Sequence, residues 1–200
     1  CTALKLEVTA EEVLAQRNEW IVTMGCDWNH DKVGTRILAL AFNKAKRVFA
    51  IAEKATVSKE GWTQTMAMQK IIDLNRKWNF EHLYVDRGFG STQIEILTKY
   101  GFDNFGILPM GHPDLKLSEL RAIDFNSNIE IPDPYTGKTI KKHMKPFMVN
   151  NLNKIIEKKM IKFHPRVDAK LIEQLKGYEE KRGVTGRPTY KASSETVGDH

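Results

Sequence analysis

The sequence has only two cysteines, Cys1 and Cys26, among its 200 residues. Two thiols do not make a disulfide framework, and no CxxC or Cys/His spacing accompanies them, which argues against a structural zinc site. The chain also lacks a run of about 18 apolar residues and a charged segment followed by an apolar one near its start. We therefore expect a protein of a reducing compartment that has neither a transmembrane helix nor a signal peptide.

Positive charge, in contrast, is plentiful. The chain carries 31 lysines and arginines against 25 aspartates and glutamates, which gives a formal net charge of +6. Such a balance suits a polyanionic partner such as nucleic acid, although an ordinary basic protein has the same signature. Hydrophobic residues make up 41% of the chain, enough for a core, and the length fits one domain or one domain with an added edge element.

The apolar pattern predicts an α/β fold with the element order βββαβαβ. A charged linker helix over residues 1–19 is followed by three predicted strands with short loops, which is typical of an antiparallel meander. The later strands are separated by helices, which favours parallel pairing. We predict strands over 20–29, 34–43, 46–57, 80–88 and 102–110, and helices over 61–79 and 91–101. The result is a mixed five-stranded sheet flanked by helices.

The remaining third of the chain predicts an accessory β-hairpin and more helices. Two short apolar arms flank a turn rich in proline and glycine, and we place this hairpin at about residues 121–145. Helices are predicted over 148–163 and 169–182, and a polar, glycine-rich segment closes the chain. The basic residues of the hairpin region, Lys141, Lys142 and Lys145, are either a solvated face or contacts to DNA phosphates.

Two aspartates end strands that this order brings together. Asp27 ends the first strand and Asp86 ends the fourth. If those strands lie side by side and parallel, both carboxylates reach one cation at the same edge of the sheet. Carboxylate oxygens suit Mg²⁺ or Mn²⁺ rather than zinc. Two such ions, roughly 3.5–4 Å apart, activate a water and stabilise the leaving oxygen of a phosphodiester.

Further candidates lie near the first aspartate and at the end of the chain. Asp31 is a possible auxiliary acid, while Asp199 and His200 follow a glycine-rich loop. A third acidic group from a C-terminal helix would complete the cluster. His200 is a candidate for metal binding or proton transfer. Arg87, beside Asp86, is a candidate contact to a DNA phosphate. Each acid also has a structural interpretation, as a cap of loop hydrogen bonds or as a turn residue.

Several stretches together resemble the C-terminal nuclease domain of the large terminase subunit of tailed bacteriophages. They are "WIVTMGCDWN", "HLYVDRGFGSTQIEILTKYG", "KPFMVNNLNKIIEKKMIKF" and "LIEQLKGYEEKRGVTGRPTYKASSETVGDH". The resemblance covers residues 20–200 and implies one nuclease domain of ribonuclease H-like fold after the linker. It also implies an endonuclease with two Mg²⁺ or Mn²⁺ ions that cuts concatemeric viral double-stranded DNA during packaging, with little sequence specificity.

The resemblance assigns roles residue by residue. Asp27 matches the first metal ligand, Asp86 the second, and His200 the histidine of the terminal motif. The family's third metal aspartate follows that histidine by a few residues, so we expect it beyond His200. Asp199 is a further metal candidate that is not equated with the third ligand. The hairpin resembles an accessory element that lies near the DNA path.

The family context implies partners and a location. An ATPase motor domain normally precedes the nuclease, and this chain has no GxxxxGK[ST] phosphate loop of its own. The implied partners are that motor, the small terminase subunit and the portal protein, in the host cell cytoplasm. Two alternatives stay open. One is a Holliday-junction resolvase or another ribonuclease H-like nuclease, and the other is a non-catalytic DNA-binding or assembly module.

Overall fold

The computed structural model of the chain describes residues 8–28, 34–88, 90–103, 120–163, 168–182 and 188–192. It divides into two compact units, one of residues Val8–Asp124 and the other of Phe125–His200 together with Cys1–Glu7. We describe each unit by itself. The predicted boundary between a linker at 1–19 and a nuclease domain at 20–200 stays a prediction.

The described residues of the first unit form five strands and three helices. They are α1 (Ala10–Ala15), β1 (Trp20–Asp27), β2 (Thr35–Asn43), β3 (Val48–Val57), α2 (Gln64–Trp78), β4 (His82–Asp86), α3 (Ser91–Asp103) and β5 (Leu120–Ile123), with a 3₁₀ turn at Arg17–Glu19. The strands lie in the order β5-β4-β1-β2-β3. β1 to β3 form an antiparallel meander, whereas β4 is parallel to both β1 and β5. The predicted order βββαβαβ and the mixed sheet are confirmed.

The position of the fifth strand differs from the prediction. We expected a strand over residues 102–110 after a helix that ended at Gly101, but α3 continues to Asp103. Residues 104–119 lie outside the described part of the chain. The strand on the other side of β4 from β1 is Leu120–Ile123, which the sequence analysis placed just before and within the hairpin region. Gly101 therefore lies inside α3 and does not end it, and the rest of the predicted strand 102–110 lies outside the described residues.

The core follows from the two periodicities of the sequence. β1 buries Trp20, Val22, Met24 and Cys26 at every second position, as expected of a strand with one face in the core. α2 buries its apolar side at helical spacing, with Ala67, Met68, Ile71, Ile72, Leu74 and Trp78. Thr63 caps the start of α2 through its side chain, and Asn79 ends it in the left-handed conformation, with φ 45°. Within the described ranges, no helix is long and apolar enough to span a membrane.

The second unit contains the predicted hairpin. Its elements are β6 (Asn128–Pro132), β7 (Thr139–His143), α4 (Met144–Glu157), β8 (Ile161–Lys162), α5 (Ala169–Lys176), β9 (Tyr178–Arg182) and β10 (Pro188–Ala192). β6 and β7 pair antiparallel, which confirms the hairpin. Its turn is held by Asp133, whose carboxylate accepts hydrogen bonds from the Tyr135 backbone N–H at 3.1 Å and the Thr136 hydroxyl at 2.7 Å.

The prediction of a helix over 169–182 is wrong in its second half. α5 ends at Lys176, and Tyr178–Arg182 pairs antiparallel with Pro188–Ala192. Two features explain the change. Gly177 follows the last helical residue, and glycine is among the weakest helix formers, so it disfavours continuation of the helix. The Tyr178 ring stacks on Tyr190 with centroids 6.3 Å apart, a contact across the two strands.

Candidate metal centre

The two predicted metal ligands end adjacent parallel strands. β1 and β4 pair in register from Thr23 opposite His82 to Cys26 opposite Val85. Asp27 and Asp86 are the next residue of each strand and the last one of each. Neighbouring strands in a sheet lie about 4.8 Å apart. The chain therefore brings these two aspartates to adjoining positions at one edge of the sheet.

The two carboxylates also share a face of the sheet. Successive side chains of a strand point to opposite faces. Cys26 and Val85 are buried, at 6% and 1% exposure, so Asp27 and Asp86 lie on the other face, where both are half-buried. Half-burial of two neighbouring acids is costly unless they are paired, hydrogen-bonded or bound to a cation.

Both aspartates affect the pKa of the neighbouring Cys26 thiol. The pKa of its thiol is raised above the ordinary value, first by burial and then by the negative charges of Asp27 and Asp86. Negative charge near a thiol disfavours the thiolate. Cys26 is a free, buried cysteine, and it stays protonated beside the two carboxylates.

A tight corner orients the Asp86 carboxylate. The Gly88 backbone N–H donates a 3.1 Å hydrogen bond to its Oδ1. A side chain at position 88 would crowd the same group, because a Cβ there would lie 3.2 Å from Asp86 Oδ2. The Arg87 N–H continues the sheet by donating to the Ile123 carbonyl at 2.9 Å. Asp86 thus caps its corner, and since a carboxylate offers about four acceptor sites, capping leaves room for a cation.

The corner after Asp27 is fixed by buried residues that the sequence analysis missed. The Thr35 hydroxyl donates a 2.9 Å hydrogen bond to the Trp28 carbonyl and accepts one of 2.9 Å from Trp62 Nε1. Trp28 is fully buried, and its indole lies against Gly90. An aromatic residue directly after a strand-end aspartate, and a Gly-Phe-Gly turn after the other, are the only sequence signals of this arrangement.

The structure describes some of the other predicted site residues but not all of them. Asp31, Asp199 and His200 lie outside the described residues. Arg87 is exposed and directly follows Asp86. Lys141 and Lys142 are exposed on β7, and Lys145 is half-buried in α4, all in the second unit. Lys141 Nζ lies 3.3 Å from Glu130 Oε1, an ion pair between two largely exposed side chains.

One positively charged side chain near Asp27, that of Arg36, was not predicted. Arg36 of β2 stands opposite Asp27 in the antiparallel register, so both belong to the same row across the sheet. Its guanidinium Nη1 donates a 3.0 Å hydrogen bond to the Thr56 hydroxyl of β3. Arg36 is thus the cross-strand neighbour of Asp27, with its guanidinium bound toward β3.

The donor set fits part of a magnesium or manganese site. Asp27 and Asp86 supply hard, anionic oxygen ligands, and Mg²⁺ in proteins is commonly held by one or two carboxylates with waters. Among the residues that the structure describes, no group of three or more His, Cys, Asp or Glu side chains is placed to hold a metal ion. The described chain thus contributes two carboxylates.

Comparison with known proteins gives a fold. No protein-family model matches the chain, and no curated protein matches it. The large terminase nuclease from thermophilic phage G20c superposes with a TM-score of 0.61 at 14% identity, covering 92% of this chain and 80% of that one. The g2p (large terminase) nuclease domain from bacteriophage SPP1 with bound Mn gives 0.52 at 10% identity, covering 92% and 82%.

A third solved structure adds a longer chain. The large terminase from another thermophilic bacteriophage gives a TM-score of 0.52 at 12% identity, covering 85% of this chain but 35% of that one. At 10 to 14% identity, these likenesses establish the fold. The predicted resemblance to terminase large-subunit nuclease domains is confirmed at that level.

Proposed function

We propose that this chain is a metal-dependent endonuclease, the nuclease part of a large terminase, that cuts concatemeric viral double-stranded DNA during genome packaging. The observation that carries the proposal is the placement of Asp27 and Asp86 on adjoining positions of parallel strands. It occurs in a chain whose fold matches three phage terminase structures. A manganese ion accompanies one of them, which supports Mg²⁺ or Mn²⁺ as the cofactor here.

Asp27 and Asp86 would hold the metal, with Asp31, Asp199 and His200 as proposed further donors. When bound, a pair of such ions supplies an activated water and offsets the charge that develops on the phosphodiester. The chain itself contributes orientation, because the Gly88 N–H fixes the Asp86 carboxylate. Half-burial of both acids also reduces screening by water, which strengthens their attraction to a cation.

DNA would be held through its phosphates. Arg87 is exposed and directly follows Asp86, and it is the proposed contact of the first unit to a phosphate bound at the metal centre. Lys141, Lys142 and Lys145 are the proposed contacts of the second unit, although Lys141 already has Glu130 as a partner. Contacts of this kind set affinity and register without reading bases, which agrees with low sequence specificity.

The proposed setting follows from the same likeness. An ATPase motor domain, the small terminase subunit and the portal protein would be the partners, in the cytoplasm of the host cell. The longer terminase structure, of which this chain spans 35%, supports a larger protein around a nuclease part.

The test is cleavage of plasmid DNA in Mn²⁺ by the parent, Asp27→Asn and Asp86→Asn, with DNA binding measured in parallel. We expect each variant to lose at least about a hundredfold in rate, since even changes behind the ligands cost about ten- to a hundredfold. Binding should persist. Asp73→Asn, an exposed acid of α2, is the matched control and should cut like the parent.

The other outcomes distinguish the alternatives. Preference for four-way junctions over linear duplex would favour a resolvase. Metal-independent DNA binding with no cleavage by the parent would favour a non-catalytic module. Equal cutting by the parent and both aspartate variants would contradict the metal centre.

A further inference from the structure

We propose that the contact between the Trp28 indole and Gly90 sets the separation of Asp27 and Asp86, which makes Trp28 a positioning residue of the candidate metal centre. The consequence for metal binding rests on the proposed function, whereas the effect on geometry does not. Both residues belong to the first unit. Trp28 directly follows Asp27, and Gly90 ends the corner that follows Asp86.

Trp28 is held in place from several sides. Its side chain is 0% exposed within the hydrophobic core, so the indole has no open space to move into. Its carbonyl accepts the Thr35 hydrogen bond, and Thr35 is itself tied to Trp62. Because Trp28 directly follows Asp27, a fixed Trp28 fixes the end of β1.

Gly90 is pressed against that indole. A Cβ at position 90 would lie 1.8 Å from Trp28 Nε1, 2.1 Å from Cδ1 and 2.8 Å from Cε2. These separations are far below the 3.5–4.0 Å of an ordinary carbon contact, so any side chain would overlap the ring. Glycine is therefore required here for close approach.

Gly90 transmits its position to Asp86 through a short, hydrogen-bonded corner. Its N–H donates to the Arg87 carbonyl at 3.3 Å, and its own carbonyl accepts from Ile94 N–H at 2.8 Å as α3 begins. Inside that corner the Gly88 N–H holds the Asp86 carboxylate. A displacement of Gly90 away from the indole thus moves the corner that orients Asp86.

The contact between Trp28 and Gly90 consequently connects the ends of β1 and β4 beyond their last paired residues, Cys26 and Val85. Asp27 is one residue from its side of the contact, and Asp86 is four residues from the other side. Metal–ligand distances in proteins lie within about 0.2 Å of their ideal values, so a rigid contact at this place matters for two carboxylates that share an ion.

Gly90→Ala tests the proposal directly. Relief of the overlap requires a shift of roughly 1.5–2 Å, shared between the indole and the corner. We expect crystals of the variant to show a changed Cα distance between residues 27 and 86, and Mn²⁺ titrations followed by electron paramagnetic resonance to show at least about tenfold weaker binding. Gly25→Ala is the matched control, because a Cβ there meets no atom within 4 Å.

A second substitution separates positioning from general destabilisation. Trp28→Leu removes the ring, and in combination with Gly90→Ala it makes space for the new methyl group. We expect the double variant to bind Mn²⁺ more tightly than Gly90→Ala alone. Arg17→Met, which weakens the opposite end of the sheet, should leave Mn²⁺ affinity unchanged although it lowers stability. If Gly90→Ala does not fold, Trp28→Leu alone should show the changed distance and the weaker binding.

The results decide two questions separately. The positioning role would be overturned if Gly90→Ala kept both the parent's Cα distance between residues 27 and 86 and the parent's Mn²⁺ affinity. The same criterion applies to Trp28→Leu if that variant replaces Gly90→Ala. Failure of the parent to bind Mn²⁺ would instead contradict the proposed function, while the crystallographic distances would still decide whether the contact sets the separation.

Discussion

Asp27 and Asp86 occupy the next position of the parallel ladder beyond the pair Cys26 and Val85. Two like charges on adjoining strands repel each other, and the repulsion grows as the groups are buried. The first unit tolerates this arrangement with both acids half-buried. A divalent cation between them would turn the repulsion into attraction, so the metal should stabilise the fold as well as serve chemistry.

Manganese is accordingly expected to raise the melting temperature of the parent protein. A ligand at about a hundred times its dissociation constant adds about 2.7 kcal/mol to the free energy of unfolding. For a chain of this size that corresponds to a rise of roughly 5–10 °C. Differential scanning calorimetry with and without Mn²⁺ measures the shift, and Asp86→Asn should abolish most of it.

The control for this experiment is Asp73→Asn, which removes an exposed carboxylate of α2 that pairs with Arg76 at 3.5 Å. It should respond to Mn²⁺ like the parent. A parent whose melting temperature is the same in Mn²⁺ and in a chelator, at concentrations that support cleavage, would show that Asp27 and Asp86 hold no ion in the folded state.

The salt dependence of DNA binding should show whether Arg87 contacts a DNA phosphate. If its exposed guanidinium contacts a phosphate, Arg87→Gln should weaken binding of unrelated duplexes equally. It should also reduce the slope of log K against log salt by about one unit. Lys142→Gln should act the same way from the hairpin, whereas Lys141→Gln should act less because Glu130 already pairs with Lys141. Fluorescence anisotropy at several salt concentrations measures these slopes.

Lys46→Gln is the matched control for Arg87→Gln, because it removes one positive charge at a distant position. Lys46 lies in the turn between β2 and β3, next to Asn43, which pairs with Trp20 at the start of β1. It is therefore at the opposite end of the sheet from Asp27. An equal loss of slope in Lys46→Gln and Arg87→Gln would mean that binding reflects net charge alone and that Arg87 makes no local contact.

Arg17 is expected to contribute to stability at that opposite end. Its guanidinium donates to the carbonyls of Trp20, Trp78 and Asn79, which ties the start of β1 to the end of α2. Burial lowers the pKa of Arg17, and the negative charge of Glu81 opposes that shift. Hydrogen bonds to charged groups contribute about 1.5–3 kcal/mol each. Because the three bonds share one half-buried guanidinium, their contributions are not additive, and Arg17→Met should lower the free energy of unfolding by about 2–4 kcal/mol in total.

Urea unfolding of Arg17→Met, Arg17→Lys and Arg76→Met tests this role. Arg17→Lys keeps the charge but lacks the planar fork that reaches three carbonyls, so it should recover only part of the loss. Arg76→Met removes an exposed arginine and should cost less than about 1 kcal/mol. If Arg17→Lys restored the full stability, the charge and not the fork would explain the contribution.

The sequence was sufficient to predict the element order and the parallel neighbourhood of β1 and β4. Period-two burial in β1 and helical spacing in α2 follow directly from residue type, and the resulting order βββαβ favours β4 beside β1. The prediction failed where a local signal was ambiguous. The apolar spacing that continues to Tyr178 outweighed Gly177 in the interpretation, although the tyrosine serves a strand contact with Tyr190.

The candidate centre was predictable only in part. Asp27 and Asp86 stand out as acids at the ends of apolar runs, whereas Trp28 and Gly90 look like a turn aromatic and a loop glycine. Their importance depends on a contact between residues far apart in the chain, which no periodicity encodes. The predicted roles of Asp31, Asp199 and His200 stay predictions, because these residues lie outside the described ranges.

Glu53 of β3 should make the stability of the first unit depend on pH. Burial by itself raises the pKa of its carboxyl, but hydrogen bonds from Lys77 at 2.8 Å and Trp78 Nε1 at 2.6 Å outweigh burial and lower the pKa below its ordinary value of 4.5. A carboxyl with a lowered pKa stabilises the fold above its unfolded pKa, and this contribution disappears as the pH falls through the folded value.

Glu53→Gln isolates that contribution, because glutamine is still an acceptor for Trp78 but does not titrate. The parent should be more stable than Glu53→Gln at pH 7, and the difference should shrink as the pH is lowered below 4.5, as measured by urea unfolding at each pH. Lys77→Met should reduce the same pH dependence, since it removes one cause of the shift. A difference between the parent and Glu53→Gln that stayed constant down to about pH 3 would mean that the Glu53 carboxylate gains nothing from its charge, and that shape and hydrogen bonding alone explain its place between Lys77 and Trp78.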